Sequence, residues 1–127
     1  MSVIKLSDWM SKPVLCAKPN DFVLSAIRKM AQHNIGCLVI EGNGKKVFGI
    51  LTERDILKKA VSKGKNLSSL RVSSLMTTKV KSVDINSSIL YLMKLMEKGR
   101  FRDTPITKNG KLVGIITSQD VIKMLSV

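Results

Sequence analysis

The sequence predicts an α/β fold made of two βαββα copies packed as a pseudo-twofold pair, and three observations carry that reading. The chain repeats itself: residues written beneath those 66 positions later bring Asn43-Gly44-Lys45 onto Asn109-Gly110-Lys111, and the offset falls to 65 beyond an extra residue at the Lys45-Lys46 corner. Each copy holds Asn-Gly between two apolar runs, the strongest short-range signal for a hairpin. Each hairpin then runs directly into Gly-Ile-x-Thr-x-x-Asp, at Gly49 to Asp55 and Gly114 to Asp120, where a buried strand gives way to a helix start.

The elements follow in order. Leu6 to Ser11 opens the first copy and aligns with Val72 to Thr77 in the second. Alternating apolar residues make Val14 to Ala17 and Val80 to Val83 short extended segments. Phe22, Ala26, Ile27 and Met30, and likewise Ile89, Leu92, Met93 and Met96, recur at helical spacing. Asp21 and Ser87 are the expected N-caps, and the helices should stop near Gly36 and Gly99. The hairpins pair Leu38-Val39-Ile40 with Val47 to Leu51, and Pro105-Ile106-Thr107 with Leu112 to Ile116. Second helices follow at Glu53 to Val61 and Ser118 to Leu125, and Val61 to Ser69 reads as a polar linker. The copies are therefore placed at residues 1–66, linker included, and 67–127. Each is too small to bury a comfortable core alone, so they are expected to pack on one another with a cleft between the hairpin-helix junctions.

Composition narrows function. The chain has 127 residues, 44% of them hydrophobic, which suffices for a core without staples. No apolar run reaches the roughly 18 to 20 residues of a membrane span and the N-terminus lacks a signal-peptide stretch, so a cytoplasmic protein with no membrane partner is expected. Cys16 and Cys37 are too few for a disulfide scaffold, and with His33 as the single imidazole they do not complete a zinc site. His33 stands in the last turn of the first helix, where a polar residue before a stop is ordinary. None of the Gly-Lys pairs has the glycine that a Walker A loop needs five positions earlier. With no base, metal set or supported nucleophile, an enzyme is not expected. Met30, Met93 and Met96 read as core filling, and Trp9 as an apolar anchor.

The junctions carry what chemistry remains. Thr52-Glu53-Arg54-Asp55 and Thr117-Ser118-Gln119-Asp120 each set a hydroxyl and a carboxylate three residues apart. A capping box explains either one: Thr bonds the N3 amide and Asp returns to the cap amide. The same arrangement, occurring twice, also suits a ligand, because a carboxylate offers acceptor oxygens to a vicinal ribose diol and free helix amides suit a phosphate.

The doubled Gly-Ile-x-Thr-x-x-Asp, opened by Met10-Ser11 and Met76-Thr77, closely resembles the cystathionine β-synthase (CBS) domain pair, or Bateman module, over essentially the whole chain. The resemblance implies a non-catalytic regulatory sensor that takes AMP, ADP, ATP or S-adenosylmethionine in clefts between the repeats, Asp holding the ribose and Thr or Ser touching ribose or phosphate. It implies one site from Ser11, Cys16, Ile35, Gly36 and Cys37 with Arg102, Ile115, Thr117 and Asp120. Cys16, Ile35 and Cys37 would line the base slot, and Arg102 would contact phosphate. The second site would join Thr77, Ser82, Phe101 and Arg102 to Ile50, Thr52, Arg54 and Asp55, with Arg102 and Asp103 standing where the first slot has Gly36 and Cys37. The two sites are thus expected to be unequal, the one on Asp120 being the better. No cofactor beyond the regulatory adenosine ligand is implied; a homodimer and an unidentified protein target are. The alternative is a basic nucleic-acid-binding protein of sequence-independent affinity, since the net charge is +13. Only 4% of residues are aromatic, and basic charge alone supports weak, salt-sensitive binding.

Overall fold

The computed structural model describes residues 4–99 and 102–127. It forms two compact units, one of Leu15–Val80 and one in which the stretch up to Val14 joins Lys81–Val127. The units are therefore offset from the sequence copies, because each opening segment packs with the hairpin of the other copy. Ser11 bridges Ile115 and Thr77 bridges Ile50 through paired backbone hydrogen bonds.

The unit of Leu15–Val80 runs β1 (Cys16–Ala17), α1 (Val23–His33), β2 (Cys37–Glu41), β3 (Val47–Thr52) and α2 (Glu53–Lys59). β1 lies parallel to β2, which lies antiparallel to β3. The period of two puts Leu38 and Ile40 on one face, where they meet Leu51, Val23, Ala26 and Met30 of α1, Ile56 of α2, and Val72 and Leu75 of the following segment. Fully burying such a side chain stabilises by about 1.5–3 kcal/mol. Val39 is also fully buried, on the opposite face. The polar linker holds two 3-10 turns, Val61–Lys63 and Leu67–Ser69, and Leu67 packs against the core.

The other unit repeats the order as β4 (Val83–Asp84), α3 (Ile89–Gly99), β5 (Asp103–Lys108), β6 (Lys111–Thr117) and α4 (Ser118–Leu125). Its core joins Leu6, Val83, Leu92, Met96, Ile106, Ile116, Val121 and Met124, with Trp9 and Met10 packed against it, so Trp9 does anchor the N-terminal segment. Thr104 takes the core position that Leu38 holds in the first copy. Its hydroxyl is buried with no hydrogen-bond partner among the described residues.

Local chemistry corrects several boundaries. Phe22, not Asp21, is the N-cap of α1 and supplies no side-chain cap hydrogen bond, while the Asp21 carboxylate accepts from the Lys18 amide. Ser88, not Ser87, caps α3, its hydroxyl accepting from the Tyr91 amide. α1 stops at Asn34, whose left-handed φ of 53° serves the purpose expected of Gly36. α2 ends at Lys59, short of Val61. Asn109 and Gly110, both at positive φ, close a two-residue hairpin, whereas the extra residue of the first copy lengthens its turn through Gly44 and Lys45.

Candidate ligand-binding site

Both Thr-x-x-Asp corners form complete capping boxes. Thr52 accepts from the Asp55 amide at 3.1 Å and the Thr52 amide donates to Asp55 Oδ2 at 3.0 Å. Thr117 accepts from the Asp120 amide at 3.3 Å and its own amide donates to Asp120 Oδ2 at 2.8 Å. In each corner the threonine hydroxyl also donates to that Oδ2. The chain enters both helices alike. The Glu53 amide donates to the Gly36 carbonyl and the Ser118 amide to the Arg102 carbonyl, which ties the loop before each hairpin to the helix after it.

The carboxylates differ in their second oxygen. Asp55 Oδ1 accepts from Lys59 Nζ at 3.0 Å and from the Thr77 hydroxyl at 3.2 Å. Among the described residues, Asp120 Oδ1 has no hydrogen-bond partner. Lys59 also donates to the Leu75 carbonyl at 2.9 Å and to Thr77 Oγ1 at 3.4 Å. Sequence reasoning missed Lys59. Its only trace there is the Asp-to-Lys spacing of four, which places two residues on one helix face.

The site residues read from sequence fall into both units. Ser11, Ser82, Arg102, Ile115, Thr117 and Asp120 belong to the unit that contains β6, and Ser11 meets Ile115 directly. Cys16, Ile35, Gly36, Cys37, Ile50, Thr52, Arg54, Asp55 and Thr77 belong to the other, where Ile50, Thr52, Asp55 and Thr77 come together. Phe101 lies outside the described residues. Arg54, Ser82 and Arg102 are exposed. Cys16 is in register with Val39, so Cys16 and Cys37 share the face of β1 and β2 turned away from the core. Burial pushes the Cys16 thiol up to about 11, and the Glu41 carboxylate adds to the shift while Lys29 opposes it. Ile35 and Gly36 line an open groove of about 630 Å³ between α1 and α2, with Ile27, Met30, Leu57 and Val61.

The profile of the CBS domain family matches residues 6–62 and 72–127. Hypoxic response protein 1 of Mycobacterium tuberculosis is 31% identical over 118 residues, 93% of this chain and 82% of that protein. The crystal structure of the CBS domain protein NE2398 matches with a TM-score of 0.88 at 31% identity, covering 97% of this chain and 98% of the other. The CBS domain pair of MJ0100, solved with 5′-methylthioadenosine and S-adenosyl-L-methionine, matches with a TM-score of 0.87 at 26% identity, covering 98% of both chains. Two further curated relatives are longer, the chain spanning 64% of one and 52% of the other. With the family's profile falling twice on nearly all of the chain and on the same βαββα order in each unit, the chain belongs to the CBS domain family and is a tandem CBS pair.

Proposed function

We propose that this CBS pair is a regulatory module with no chemistry of its own, which binds an adenosine-containing ligand through Thr117 and Asp120. The observation that carries the reading is the open Oδ1 of Asp120, a carboxylate oxygen held in place by the capping box and free to accept from a ribose diol. The ligands in the MJ0100 pair, both adenosine compounds, support that class. Arg102, in the same unit as Asp120, supplies a cation for phosphate. A module of this kind works on a protein target and as a homodimer, and the exposed apolar residues Leu57, Val61, Ile122 and Leu125 supply helix surface for association.

Thermal denaturation with AMP, ADP, ATP, S-adenosylmethionine and GMP tests the reading. A ligand that binds only the folded state stabilises by RT ln(1 + [L]/Kd), about 2.7 kcal/mol at a hundredfold excess over Kd. At least one adenosine compound should raise Tm where GMP does not, and Asp120→Ala should weaken that compound by roughly ten- to hundredfold, the cost of bonds to a charged acceptor. No Tm shift with any adenosine compound at millimolar concentration leaves Thr117 and Asp120 as helix caps alone.

A further inference from the structure

The two copies present the same Thr-x-x-Asp corner, yet one carboxylate is saturated from within the chain. A carboxylate has about four acceptor sites. Asp55 fills all four: Oδ2 with the Thr52 amide and hydroxyl, Oδ1 with Lys59 Nζ and the Thr77 hydroxyl. Lys59 is itself fully engaged, since the three donors of its ammonium go to Asp55 Oδ1, the Leu75 carbonyl and Thr77 Oγ1. The Asp55 side chain is 12% exposed, and that of Lys59, which covers it, 37%.

The corresponding positions of the other unit lack both parts of this closure. Lys59 aligns with Met124, a buried core residue with no proton to donate. Thr77 aligns with Ser11, which reaches Ile115 through its backbone and is exposed. Among the described residues, Asp120 Oδ1 is left open for that reason.

We infer that Lys59 is a tethered occupant of the Asp55 carboxylate, which closes it to ribose hydroxyls and makes this chain bind one adenosine ligand per protomer, on Asp120. The inference rests on the adenosine reading above and adds to it the residue that decides which carboxylate is used. A diol approaching Asp55 has to displace an ammonium that already makes three bonds, and displacement strands the Leu75 carbonyl. Lys59 thus sets stoichiometry rather than affinity.

Isothermal titration of the full chain with AMP, ATP and S-adenosylmethionine separates the outcomes. The wild type should bind one equivalent of its preferred compound. Asp55→Asn should change Kd less than twofold, whereas Asp120→Asn should lose at least tenfold. Lys59→Met should gain a second equivalent that Asp55→Asn removes again, and Lys59→Arg should stay at one. Lys59→Gln, which removes the charge and keeps N–H donors for the Leu75 carbonyl, serves where Lys59→Met does not fold by circular dichroism. Two equivalents in the wild type overturn the closure and leave the adenosine reading standing. One equivalent in both the wild type and Lys59→Met, or Lys59→Gln in its place, does the same. Binding that weakens on loss of Lys59 makes it a ligand contact and also overturns it. If neither wild type nor variant binds any adenosine compound, both readings fall together.

Discussion

At the scale of single residues, Thr104 is the plainest departure from what its surroundings ask. It sits at a fully buried core position beside Ile106 and Ile116, and its hydroxyl bonds nothing among the described residues. A buried polar group without a partner carries a desolvation cost of about 1–3 kcal/mol, and an apolar replacement of similar shape removes it. Thr104→Val should therefore raise the unfolding free energy by about 1 kcal/mol in urea denaturation, with m unchanged. Cys16 gives a second test. Its thiol titrates near 11 rather than 9.0, so the folded state favours the neutral form; the linked stability is whole below pH 9 and is lost as pH climbs through 9 to 11. In a Cys37→Ser background, alkylation of Cys16 at pH 8 should be at least about tenfold slower than that of a small-molecule thiol with the ordinary pKa, because two pKa units cut the thiolate fraction about a hundredfold while the more basic thiolate recovers roughly tenfold in nucleophilicity.

At the scale of elements, the capping boxes were legible because Thr and Asp three residues apart satisfy a helix start whatever surrounds them. The same logic failed at α1 and α3. Asp21 has a nearer amide in Lys18, and with Ser87 and Ser88 adjacent only the helix phase decides which of them reaches Tyr91. Asp55 and Asp120 look alike within the motif for a related reason: the groups that distinguish them lie beyond it, Lys59 one turn along α2, and Leu75 and Thr77 a further 16 and 18 residues on. β3 carries its own constraint. A Cβ on Gly49 would stand 2.8 Å from the Thr77 carbonyl oxygen, a backbone atom held by the bridge to Ile50. Gly49→Ala must push the Thr77 segment off β3 and should cost about 1–3 kcal/mol, the range of an overpacked site. The loss should appear as a lower Tm. If the adenosine reading holds, Asp120 binding should survive it, because Gly49 and Asp120 lie in different units.

At the scale of the whole molecule, the repeat and the family were readable because each copy carries its own hairpin and corner, while the compact units were not, since the exchange of opening segments depends on contacts of high sequence separation. Net charge then sets how the protein responds to solution conditions. A charge of +13 on 127 residues repels itself in the folded state and between copies, and salt shortens the reach of that repulsion from about 30 Å at 0.01 M to about 8 Å at 0.15 M. The apolar helix residues proposed for association, Ile122 at 66% and Leu57 at 59% exposure, pull the other way and are insensitive to screening at these concentrations. Raising salt from 0.01 to 0.15 M should therefore raise Tm and shift sedimentation from the 14.0 kDa monomer toward a dimer. Leu57→Lys with Ile122→Lys should hold the chain monomeric at both ionic strengths. A wild type that stays monomeric at micromolar concentration in 0.15 M salt removes the homodimer from the proposed function, and a dimer that dissolves as salt rises would mean that charge pairing, not apolar burial, holds the copies together.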